Sequence, residues 1–135
     1  MAWESPVHLI GEFTALTDLS SATNQFRFVQ STDGTHISKV GTKGNHVLGV
    51  LQDLPTANTA GQVMTLGVTK VRCSSSHKGI VPGSAIISSS LGFGQKSTGV
   101  GQYVIGRSLS TLTTNSSGLI TIQLTYEGAG SSGQN

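Results

Sequence analysis

Charge is what this sequence has least of. Asp, Glu, Lys and Arg make up 10% of its 135 residues, well under the quarter usual in soluble domains. The acids are Glu4, Glu12, Asp18, Asp33, Asp53 and Glu127. Hydrolysis by a carboxylate pair needs two such groups about 5–10 Å apart across a cleft. Here three acids lie within the first 20 residues, one in a turn signal and one in the tail, which leaves Asp53 isolated in the middle of the chain. Net charge is +2, and the cations are spread along the sequence, unlike the stripe that holds a phosphate backbone. Direct nucleic-acid binding is not expected. The trio Lys70, Arg72 and Lys78 reads as the solvated face of an edge strand, where Lys is common.

Cysteine is nearly absent. Cys73 stands alone, which excludes an internal disulfide and a zinc framework and suits a small buried residue. The four histidines, His8, His36, His46 and His77, show no metal-ligand spacing. No basic-then-apolar leader is present, and no apolar run approaches the ~18 residues of a membrane span. A soluble, unexported chain with no membrane partner is the expectation. No serine sits in a nucleophile elbow. Gly92-Phe93-Gly94 and Gly99-Val100-Gly101 look like phosphate loops, but Lys96-Ser97 falls between the glycines rather than after them. With so few groups to tune, the chain is expected to be no enzyme and to hold no metal or cofactor.

What the sequence does have is 18 glycines, abundant Ser and Thr, and short runs in which apolar and polar residues alternate. Its length fits one domain, large enough to bury a core without staples. No stretch longer than ten residues has helical periodicity, so the expected fold is mainly β: a small single-domain barrel or sandwich. Residues 1–20 read as an extended N-terminal arm, because Val7, Leu9, Ile10, Phe13 and Leu16 fit neither strand nor helix spacing and Pro6 interrupts them. Residues 21–126 form the β-domain and residues 127–135 a small, polar, flexible tail.

Within the domain, Phe26 to Gln30 and His36 to Val40 read as a hairpin on the turn Ser31-Thr32-Asp33-Gly34. Phe26, Phe28 and Tyr103 are expected in the core. Val47 to Leu51 is a continuously apolar strand. Val63 to Cys73 alternates in two phases, with a turn or bulge expected near Thr69-Lys70. Ser88 to Gly101 reads as a flexible loop, with Phe93 and Lys96 as its candidate contact residues. Tyr103 to Leu109 and Leu119 to Tyr126 close the domain. The last strand places Ile120, Ile122, Leu124 and Tyr126 on one face. Gly49, Gly61, Gly83 and Gly106 are read as turn glycines.

The ordered blocks Leu48-Gly49-Val50, Ala60-Gly61-Gln62, Val81-Pro82-Gly83-Ser84 and Ile105-Gly106-Arg107-Ser108-Leu109 resemble the small capsid decoration, or cement, proteins of tailed bacteriophages. The resemblance spans about Val47 to Leu124. Ser84 stands where that family often has Asp, and Gln62 where Glu is common. The resemblance implies a β-barrel or sandwich on the outer face of an icosahedral head. It would be made in the host cytoplasm, bound to the major capsid protein between capsomers, and self-associated as a trimer or a dimer. It would stabilise the expanded shell against DNA pressure without catalysis. An extended arm of ~12 residues reaches about 40 Å, and Trp3, Val7, Leu9, Ile10 and Phe13 are its candidate interface anchors. The alternative is a carbohydrate- or host-surface-binding virion module that uses the loop around Phe93.

Overall fold

The computed structural model describes residues 9–75 and 78–129, and over them the chain is mainly β. Strands β1 (Leu9–Ala15), β2 (Phe28–Gln30), β3 (His36–Lys39), β4 (Gly49–Leu51) and β5 (Ala60–Leu66) close into a barrel in the order β1-β3-β2-β4-β5. Strands β6 (Val68–Cys73), β7 (Ala85–Ser88), β8 (Gly94–Lys96), β9 (Tyr103–Ser108) and β10 (Gly118–Ala129) form a sheet in the order β6-β10-β9-β7-β8. The chain crosses from barrel to sheet at Gly67, whose φ of +119° suits the residue that lacks a Cβ.

Two cores follow from this arrangement. Ala15, Leu19, Val29, Ile37, Leu51 and Val63 fill the barrel, with Phe13 and Leu48 against them. Phe28, Val50 and Met64 point the other way and pack with sheet residues such as Val71, Ile86, Ile105, Ile120 and Ile122. Strands β2, β4 and β5 are thus covered on both faces, which is why Val47 to Leu51 reads as an unbroken apolar run. Phe28 is buried, and Phe26 and Tyr103 pack half-buried against the same core. Cys73 is buried there too, and burial pushes its thiol pKa up to about 12. Iodoacetamide at pH 8 is expected to leave Cys73 unmodified in the folded chain and to alkylate it in guanidinium. Equal labelling under both conditions would contradict this packing.

Several segments differ from the sequence reading. Leu9–Ala15, expected in the arm, is a barrel strand, antiparallel to β5 (Ile10 opposite Met64) and parallel to β3 (Thr14 opposite His36). Its Gly11, Phe13 and Ala15 share one face. The Phe13 ring lies over Gly11, 2.7 Å from where a Cβ would stand, so an inward row of Gly, Phe and Ala shows no hydrophobic alternation. Residues 1–8 of the expected arm lie outside the described residues. The slip expected near Thr69-Lys70 sits earlier, at Gly67. β6 then alternates regularly, with Thr69, Val71 and Cys73 inward, and Thr69 Oγ1 meets Gln52 Nε2 at 3.0 Å.

The expected flexible loop Ser88–Gly101 contains β8, which pairs with β7 (Ser88 opposite Gly94). Phe28 N donates to Gly92 O at 2.8 Å, and the Gln102 carboxamide oxygen accepts from Thr98 N and Gly99 N at 2.8 and 3.2 Å. Of the four glycines read as turns, Gly83 is one, with φ +90°. Gly49, Gly61 and Gly106 lie inside strands. They are required by close approach: a Cβ would run into Met64 O at Gly49, the Pro55 ring at Gly61 and Gln123 O at Gly106. β10 extends to Ala129, so Glu127, assigned to the tail, belongs to the sheet. The rest of the tail lies outside the described residues.

The turn between β2 and β3 forms as its Asp-Gly pair predicts, with Gly34 at φ +82°. Asp33 Oδ1 accepts from His36 N and Thr35 N at 2.8 and 2.9 Å. These bonds, followed by the contact with the His36 side chain, hold the carboxyl well below its usual pKa. Glu127 is likewise lowered, chiefly by its bonds from Arg107 at 2.7 and 2.9 Å. Both carboxylates therefore bind protons more weakly in the folded chain than in the unfolded one. Their contribution to stability is complete above the ordinary values of 3.8 and 4.5 and is lost as pH falls toward the folded-state values. The urea midpoint is expected to drop between about pH 5 and about pH 2.5, and less steeply in Asp33→Asn. An identical slope in that variant would remove Asp33 as a source. The one-third-exposed Arg107–Glu127 pair adds less than about 1 kcal/mol.

Candidate binding surfaces

The arm anchors do not gather on one face. Trp3 and Val7 lie outside the described residues, and Leu9 opens β1. Phe13 turns inward against the barrel core, whereas Ile10 is 48% exposed on the outside. Beside Ile10, Leu66 and Val68 flank the barrel-to-sheet crossing at 40% and 41% exposure. Leu66 ends β5 opposite Leu9 of β1, and Val68 opens β6. Of the five anchors expected on the arm, Ile10 is the one that the described residues place as an exposed apolar side chain.

The second surface lies at the β8 side of the sheet. An open groove of about 330 Å³ is lined by Lys43, Lys78 and Lys96 together with Gln95, Thr114 and Asn115. Its walls come from distant parts of the chain. Lys43 is held by the loop that follows β3, where Gly44 N donates to Ser88 O and Tyr103 N to Gly44 O. Gln95 and Lys96 stand on β8, and Thr114 and Asn115 on the β9–β10 connection. A neighbouring groove of about 310 Å³ shares Lys43 and Gln95 and adds Phe93 with Ser74, Ser89 and Ser90. The Arg27 guanidinium sits 4.0 Å from the Phe93 ring centroid, close enough for a cation–π contact. Arg27 Nη1 donates to Leu91 O at 3.4 Å.

Phe93 and Lys96, singled out from the sequence, therefore both line grooves. Lys43 and Thr114 were not singled out, and Lys78 reads from the sequence only with Lys70 and Arg72 as the solvated face of an edge strand. More than 30 residues separate Lys43 from Lys78 and Lys78 from Thr114, and no local pattern links them.

The described residues bring no catalytic constellation together. Asp53 Oδ1 accepts from Gln62 N at 3.0 Å, fixing the turn into β5. His46 packs edge-on to Tyr103 at 4.9 Å. Among the described residues, no three His, Cys, Asp or Glu side chains gather as a metal site.

No protein-family model matches the sequence, and no curated protein matches it. Among solved structures, the chain is similar to the N base of the head fiber gp8.5 of bacteriophage phi29. The TM-score is 0.64, with 90% of this chain and 98% of that one covered at 12% identity. At that identity the likeness is one of fold: barrel and sheet together, over nearly the whole of both chains.

Proposed function

We propose that the chain is a structural protein of a phage virion, seated on the outer surface of the head and bound to the major capsid protein between capsomers. The observation that carries this reading is the fold shared with a head-fiber base over 90% of this chain. The order of the glycine blocks, which resembles capsid decoration proteins, points the same way independently. In this role the protein reinforces the expanded shell and does no chemistry. Self-association as a trimer, with a dimer as the alternative, multiplies weak contacts, because the second and third form at high effective concentration. Exposed Ile10, Leu66 and Val68 are the apolar side chains we assign to contact with the capsid or with a neighbouring copy.

The test is cryo-electron microscopy of expanded heads that lack the protein, after mixing with the full chain or with a Leu66→Asp/Val68→Asp variant. Ordered density at local symmetry positions is expected for the full chain, and its loss for the variant. Absence of density on any head would overturn the proposal. Density retained by the variant would move the contact to another face. Sedimentation at micromolar concentration reads the oligomeric state directly.

A further inference from the structure

We propose that the lysine groove beside β8 is a binding site for a sugar or polyol chain bearing phosphate or sulfate groups. The proposal goes beyond attachment to a head and does not depend on it.

Three of the five lysines in the chain line one groove, and among the described residues no carboxylate lines it. Ammonium groups brought together repel one another, so the arrangement favours occupation by an anion. Charge is also segregated along the fold. Glu12, Asp18, Asp33 and Asp53 precede Gly67, in the part of the chain that forms the barrel. Described residues 68–129 carry Lys70, Arg72, Lys78, Lys96 and Arg107 against Glu127 alone, and that acid is engaged by Arg107. An anion approaching the sheet end meets a field of one sign.

The type of cation narrows the ligand. A lysine is a point charge with three rotatable donors, suited to a tetrahedral oxyanion, whereas planar carboxylates are better matched by the fork of Arg. No Arg lines the groove. The remaining wall is amide and hydroxyl: Gln95, Thr114 and Asn115 here, with Ser89 and Ser90 in the adjoining groove. Such groups donate to and accept from sugar hydroxyls. Phe93, held by Arg27 at 4.0 Å, adds an apolar surface for the C–H face of a ring. Two grooves sharing Lys43 and Gln95 suit a chain better than a single ion.

The full-length chain would be titrated calorimetrically at low salt with a sulfated dextran oligosaccharide, neutral dextran of the same length, inorganic phosphate and an oligoglutamate peptide. Saturable binding of the sulfated oligosaccharide is expected, with none of the neutral one, and phosphate should compete weakly. Lys43→Gln/Lys96→Gln should weaken binding about tenfold or more, the loss of two charge-assisted contacts. Lys39→Gln/Lys70→Gln, which removes the same charge elsewhere, should change affinity less than about twofold. Melting curves establish that both variants fold. Equal weakening by the two variants would reduce the effect to net charge and overturn the site. Binding of oligoglutamate as tightly as the sulfated sugar would overturn the ligand class, as would phosphate binding as tightly as the oligosaccharide. Absence of saturable binding to any of them would overturn the proposal outright.

Discussion

A chain that begins at Thr14 is expected to lose its cooperative thermal transition or to be insoluble. The cut removes Leu9–Phe13, and with them five of the six pairs that join β1 to β5, leaving only Thr14 opposite Ala60. The barrel then opens between β3 and β5, and Ile37 and Val63 lose the strand that covers them. A large aromatic lost from a core costs about 3–5 kcal/mol, somewhat less for half-buried Phe13. Each ladder hydrogen bond contributes about 1 kcal/mol net. Together these approach the ~5–15 kcal/mol that holds a domain folded. Circular dichroism against temperature and urea is the measurement. A truncated chain melting within about 5 °C of the full one would show that β1 is dispensable. The consequence for function is practical: such a truncation is no test of capsid affinity, because loss of binding would follow from loss of the barrel. Substitutions at exposed Leu66 and Val68 avoid that confusion.

The second large effect is expected from one methyl group. In Gly106→Ala the added Cβ meets Gln123 O and its carbonyl carbon, backbone atoms of the neighbouring strand that cannot rotate away. Strand β9 lies between β10 and β7, so it can yield only by spreading the sheet. Overpacking of this kind costs about 3 kcal/mol, which lowers the melting temperature by roughly 10 °C in a domain of this size. Gly99→Ala is the matched control. Nothing lies within 4 Å of its Cβ position, and the melting temperature should move by less than about 2 °C. Equal destabilisation by the two substitutions would attribute the loss to backbone freedom and not to the approach of β10 to β9.

Residue by residue, the legible parts of this protein are those whose signal is local. Ile120, Ile122 and Leu124 alternate with polar residues and face the core. Asp33-Gly34 announces a hairpin that forms, and Pro82-Gly83 turns where those residue types predict. Low charge and the absence of helical periodicity indicate a mainly β chain. The misread parts depend on partners elsewhere. Gly11 passes for a spacer until Phe13 lies over it, and Thr69 looks like a slip until Gln52 meets it in the interior. Gly49 and Gly106 suggest turns because nothing beside them in the sequence reveals the carbonyls of Met64 and Gln123.

By itself, then, the sequence determined the β class, the final strand, the tight turns and the scarcity of catalytic groups, because strand faces and turn geometry are set by residues two or three apart. Tertiary structure alone decided that β1 closes the barrel, which glycines admit a neighbouring backbone, and that Lys43, Lys78 and Lys96 share a groove. Pairing across the sheet is set by which buried faces complement one another, and that is a property of strands far apart in the chain.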